Sequence, residues 1–134
     1  MKRYVFDTSA LFCFIENEAG APTVEGLLKE AIDGKAVIFI SAASLIELFY
    51  ISAQQQGIEK AQEHIRLVRE LPLTIVEISA GQTEAIGLLK AKYQISFADS
   101  CIAGLAQIEK AELVHKDPEY EPLPIKQKRL PYKK

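Results

Sequence analysis

Apolar residues in this chain recur with two different spacings. Val24, Leu27, Leu28, Ala31 and Ile32 follow the i, i+3, i+4, i+7, i+8 rhythm of an amphipathic helix, which opens after Pro22-Thr23 and closes at Asp33-Gly34. Residues 36–40, Ala-Val-Ile-Phe-Ile, are instead a continuous apolar run of strand length, as expected of a parallel strand covered on both faces. A β-prone run over residues 2–6 stops at Asp7-Thr8-Ser9, and Ala10 to Ile15 reads as a short helix. Ser41 caps a long helix to about Gln55, and Ile58 to Glu70 forms a second helix with its charges on one side. Further on, the pattern predicts a strand at Leu73–Val76 and a helix at Gln82–Lys92. Ser96 opens another helix to about Lys110, and Leu113–His115 makes a last short strand. Asp117-Pro118, Pro122 and Pro124 then hold the chain extended.

Strands separated by helices predict an α/β sandwich built on a mostly parallel sheet. In such sheets, sites form beyond the carboxyl ends of the strands, so the residues just after each strand are the place to look.

The length of 134 residues suits one domain, and 49% hydrophobic with 25% charged residues excludes a disordered or fibrous chain. Sixteen basic against eighteen acidic residues exclude the strongly cationic body of a typical DNA-binding domain. The average hides an asymmetry. Five of the last nine residues are basic (Lys126, Lys128, Arg129, Lys133, Lys134), while residues 1–125 carry a net −7. The expectation is a single domain over 1–125 followed by a basic tail at 126–134. Cys13 and Cys101 match no disulfide framework or metal spacing and read as buried thiols of a reducing compartment. The N-terminal residues lack the pattern of a signal peptide, and no apolar stretch reaches the roughly 18 residues of a membrane span. A cytoplasmic protein without membrane contact is expected.

Three acids stand alone. Asp7 is the only charged residue between Tyr4 and Ile15, Glu47 the only one in the 23 residues from Ala36 to Ile58, and Asp99 the only one between Tyr93 and Ile108. The helix around Glu47 is apolar nearly all round, which predicts a largely buried helix with Glu47 pointing inward or into a cleft. A carboxylate taken from water must be protonated, paired with a cation or bound to a metal. None of the three spans offers a Lys or Arg, and Mg or Mn ions favour carboxylate oxygens. Each acid also has a simpler explanation: Asp7 suits a helix N-cap, Ser96-x-x-Asp99 a capping box, and Glu47 could reach out to solvent. Asp117 follows the last strand at the same edge, among the charged neighbours Lys116, Glu119 and Glu121. Thr8, Ser9 and Ser100 flank the acids, where a hydroxyl can bond a ligating carboxylate or simply cap a turn. His115 either touches a substrate from its strand end or fills that end. His64, on the charged helix, is expected to be exposed.

Four segments, taken in order, resemble the PIN domain and more narrowly the toxin subunit of VapBC-type toxin–antitoxin pairs. They are Val5-Phe6-Asp7-Thr8-Ser9-Ala10-Leu11, Ser44-Leu45-Ile46-Glu47-Leu48, Phe97-Ala98-Asp99-Ser100-Cys101-Ile102-Ala103 and Leu113-Val114-His115-Lys116-Asp117-Pro118-Glu119-Tyr120. The resemblance implies a three-layer α/β/α sandwich and a Mg- or Mn-dependent endoribonuclease, usually homodimeric and inhibited by a cognate antitoxin. Under it Asp7, Glu47, Asp99 and Asp117 match the acidic quartet and Thr8 its accompanying hydroxyl. Two positions depart: His115 stands where Thr or Ser is frequent, and Ser100 where a small apolar residue is usual. Lys60, Arg66, Arg69 and the basic tail are candidates for tracking an RNA backbone. The helices at 24–32 and 42–53 could supply partner or dimer surface, although core packing is the commoner reason for such stripes. Two other classes are weaker. A haloacid-dehalogenase-type phosphatase needs a second Asp where Ser9 stands. A non-catalytic, receiver-like metal-binding module would use Lys116 but lacks the paired early acids.

Overall fold

The structure is a computed structural model that describes residues 1–132. Five parallel strands are assigned: β1 (Lys2–Phe6), β2 (Ala36–Ser41), β3 (Thr74–Val76), β4 (Glu112–His115) and β5 (Gln127–Arg129). They lie in the order β3-β2-β1-β4-β5. Helices α1 (Thr8–Ile15), α2 (Ala21–Ile32), α3 (Ala42–Gln56) and α4 (Ile58–Glu70) come from the first half of the chain, and α5 (Thr83–Lys92) and α6 (Phe97–Glu109) from the second.

Strand alternation sorts the core into two layers. Tyr4, Phe6, Ile38, Ile40 and Val114 pack with Leu11, Val24, Leu28, Leu48 and Val68 of α1 to α4 on one face. Val5, Phe39 and Leu113 turn to the other face and meet Ile86, Leu89, Ile102 and Leu105 of α5 and α6. This is the expected α/β/α sandwich. Each fully buried Leu, Ile, Val or Phe contributes about 1.5–3 kcal/mol, so both layers are needed to outweigh chain entropy.

The chain leaves β1 towards β2 and β3, then returns to place β4 on the opposite side of β1. The order therefore reverses between β1 and β4, and connections diverge there at the carboxyl edge. The backbone N–H of Asp7, one residue past β1, still donates to the Val114 carbonyl at 3.0 Å. The end of β1 is thus fixed against the end of β4.

Four differences from the sequence expectations have physical reasons. Helix α2 begins at Ala21, ahead of Pro22-Thr23, because a proline in the first turn gives up an N–H that has no partner there anyway. Helix α3 is not largely buried: Leu48 and Ser52 are enclosed, while Ile46, Phe49 and Tyr50 form an exposed apolar face. His64 is buried, not exposed, on the α4 stripe with Ala61 and Val68, its Nδ1 2.8 Å from Ser52 Oγ of α3. Finally, the segment expected to be a basic tail contains β5, paired with β4 through Leu113–Gln127, Val114–Lys128 and His115–Arg129. Leu130 is buried behind it and Pro131 abuts Gly20. Lys133 and Lys134 lie outside the described residues. Cys13 and Cys101 are both buried, and among the described residues no helix is long and apolar enough to cross a membrane.

Candidate metal centre

A cavity of about 600 Å³ opens at the carboxyl edge between β1 and β4, and Asp7, Thr8, Ser9, Glu47, Asp99 and Asp117 are among its lining residues. The four acids arrive from different elements. Asp7 follows β1 and caps α1, with Oδ2 accepting from the Ser9 N–H at 3.0 Å and from the Ser9 hydroxyl. The Ser9 hydroxyl also accepts from the Lys116 N–H at 2.9 Å, which fastens the loop after β1 to the loop after β4. Glu47 projects from α3, and its Oε1 accepts from the Thr8 hydroxyl at 2.7 Å. Asp99 sits in the first turn of α6. Its N–H donates to Ser96 Oγ at 3.0 Å, but its carboxylate does not close a capping box. Asp117 follows β4, and its Oδ1 accepts from the Glu119 N–H at 2.9 Å, capping a 3-10 turn over Pro118–Tyr120.

Asp7 is therefore both a helix cap and a cavity residue; one role does not exclude the other. Ser100 does not join the group, since it is buried and its hydroxyl donates to the Phe97 carbonyl of its own helix at 2.6 Å. His115 is wholly buried beneath the cavity. Its Nδ1 accepts from the Asp117 N–H at 3.0 Å, so Nε2 carries the hydrogen that points at Gln127 Oε1, 2.9 Å away. Lys116 also lines the cavity, where its Nζ pairs with Glu18, 3.2 Å from Oε1, and donates to the Ala19 carbonyl at 3.0 Å.

Two residues were not singled out by the sequence. The Tyr120 hydroxyl reaches Asp7 Oδ1 at 2.6 Å and Asp99 Oδ1 at 2.9 Å, although the residue is wholly buried. Its only sequence signal is its place three residues after Asp117. Glu119 is exposed, yet one oxygen each of Asp99, Asp117 and Glu119 lie within 4.8 Å of one another.

Crowding of acids governs the electrostatics. Burial, with the Asp7 charge second, pushes the Asp99 carboxyl up to about 7 against the partial relief of the Tyr120 hydroxyl. Burial likewise raises the Glu47 carboxyl; the Thr8 hydroxyl pulls it partly back and Asp7 adds to the rise. Among the described residues, no Lys or Arg forms an ion pair with Asp7, Glu47, Asp99, Asp117 or Glu119. An all-oxygen set of carboxylates with an uncompensated charge fits a hard divalent cation such as Mg or Mn, and fits zinc or copper poorly.

The sequence profile of the PIN domain matches residues 4–125. Solved structures share the fold across nearly the whole chain. VapBC2 from Rickettsia felis, bound to a DNA fragment from its promoter, superposes with a TM-score of 0.78 at 23% identity, covering 96% of this chain and 99% of the other. DNA-bound VapBC from Salmonella typhimurium gives 0.75 at 18% identity, covering 96% and 98%. Mycobacterium tuberculosis VapC20, described as a sarcin-ricin loop cleaving toxin, gives 0.73 at 14% identity, covering 94% and 98%. No curated protein matches the sequence.

Proposed function

The chain belongs to the PIN domain family, a family of nucleases, and on that premise we propose that it is a Mg- or Mn-dependent endoribonuclease, the toxin component of a VapBC-type toxin–antitoxin pair. One observation carries the reading: Asp7, Glu47, Asp99 and Asp117 line one cavity, with no basic side chain paired to any of them among the described residues.

Asp7 and Asp99 would hold the cation, with Glu47 and Asp117 direct or through water. When bound, a divalent cation lowers the pKa of water and neutralises charge developing on the phosphodiester. The remaining work falls to the protein. Ser9 and Tyr120 hold the Asp7 oxygens, Thr8 holds Glu47, and His115 holds the backbone of Asp117. Water, not the ribose 2′-hydroxyl, is the attacking group, so the products carry a 5′-phosphate and a 3′-hydroxyl. Lys60, Arg66 and Arg69 of α4 and the basic residues after Glu121 would contact the RNA backbone.

The proposed protein partner is an antitoxin whose arm lays a basic side chain among the cavity acids, where Glu16 adds to the charge. The DNA-bound VapBC complexes among its structural neighbours support that reading. The exposed face of Ile46, Phe49 and Tyr50 supports a homodimer contact. A cytoplasmic location is part of the same proposal.

The direct test incubates the purified chain and its Asp7→Asn variant with structured RNA and Mn. Cleavage by the parent chain that falls on the order of 100-fold or more in the variant is expected if Asp7 holds the cation. Equal cleavage by both would overturn the assignment.

A further inference from the structure

A buried phenol needs a partner for its hydroxyl. For Tyr120 that partner is a pair of carboxylates, Asp7 and Asp99, which repel each other. The two acids are held unequally. Asp7 has its other oxygen fixed by the N–H and hydroxyl of Ser9. Among the described residues, Tyr120 makes the only hydrogen bond that the Asp99 carboxylate receives. We propose that Tyr120 is a positioning residue that sets the divalent-cation affinity of the centre by holding the Asp99 carboxylate in register with Asp7. This rests on the metal-nuclease reading above.

Tyr120 is itself fixed from three sides. Asp117 caps the turn that carries it, and Pro118 presets the backbone at the start of that turn. Gln127 Nε2 of β5 donates to the Tyr120 carbonyl at 2.8 Å. The ring packs on His115, centroids 5.0 Å apart. A phenylalanine would keep this seat and lose one oxygen. The carboxylate of Asp99 would then be free to turn away from Asp7, and a cation binding both would have to restore the alignment. Hydrogen bonds behind metal ligands are worth 10–100-fold in metal affinity.

Calorimetric titration with Mn alone, without RNA, tests the role on the full chain. Tyr120→Phe is expected to bind Mn roughly 10–100-fold more weakly than the parent, with an unchanged far-UV spectrum. In RNA cleavage, the Mn concentration for half-maximal rate should rise by a similar factor, while the rate at saturating Mn stays within about threefold; a merely structural defect would instead lower the melting temperature of the metal-free variant. Gln127→Ala frees the Tyr120 carbonyl together with His115 Nε2 and bonds no carboxylate directly. It is expected to weaken Mn binding in the same direction, and it serves should the phenylalanine variant fail to fold. If the parent binds Mn and both variants match it, the role of Tyr120 is refuted while the centre stands. If the parent binds no Mn, the nuclease reading falls and takes this one with it.

Discussion

Asp99 shows how a single carboxyl can be both necessary and costly. Its pKa stands at about 7 against an ordinary 3.8, chiefly because it is buried and secondly because Asp7 is near. The folded chain therefore holds a proton that the unfolded chain has released across that window. The Asp99 contribution to metal-free stability is fully present below about pH 4 and is lost as pH rises towards 7. The melting temperature of the cation-free protein should fall across this range. Asp99→Asn should flatten the fall and melt higher near pH 8, and added Mn should restore the parent chain selectively at the alkaline end. A flat profile for the metal-free parent would contradict this account. The same physics made three acids readable in the sequence: Asp7, Glu47 and Asp99 each interrupt an apolar stretch that offers no cation. Tyr120 was not readable, because a tyrosine among Glu119, Glu121 and Pro122 looks like a loop residue. Only the fold reveals that its hydroxyl ends between two acids. His64 did carry a signal, since it falls on the Ala61–Val68 stripe; its place on a charged helix masked it.

Among elements, the helices were legible because their 3.6-residue rhythm and caps are written locally. Strand β5 was not. Three residues, Gln127-Lys128-Arg129, have no apolar pattern, and their place in the sheet comes from backbone pairing to β4 and from Leu130 behind them. A free tail would tolerate Leu130→Ala. An enclosed Leu130 predicts a loss of about 2–4 kcal/mol, measurable by urea denaturation. The packing of α5 on α6 makes a similar demand at Gly104, where an added Cβ would lie 2.7 Å from Ile86 Cγ1 and 3.4 Å from the Ile86 backbone. Gly104→Ala should cost about 1–3 kcal/mol in the same assay despite its better helix propensity. A neutral result would mean that α5 can shift at no cost.

For the molecule as a whole, the layered α/β/α plan followed from the alternation of strands and helices, but the lateral order of the strands did not. Nothing local says that β4 returns to the far side of β1; right-handed crossovers and a sheet covered on both faces select that arrangement. The outer surface was also misjudged. An apolar helix was expected to be enclosed by its own chain, yet Ile46 of α3 is 61% exposed beside Phe49 and Tyr50. If this face makes the proposed dimer contact, replacing Ile46 and Phe49 together by lysine should give a monomer in sedimentation while leaving Mn binding intact. Unchanged association would place the contact elsewhere. The topology also has a temporal side. Translation delivers Asp7, Glu47 and Asp99 before Gln127, which braces both His115 and Tyr120 and comes after every other strand and helix of the sandwich. A chain still emerging thus carries the isolated acids before it has the side chain that braces His115 and Tyr120 behind them.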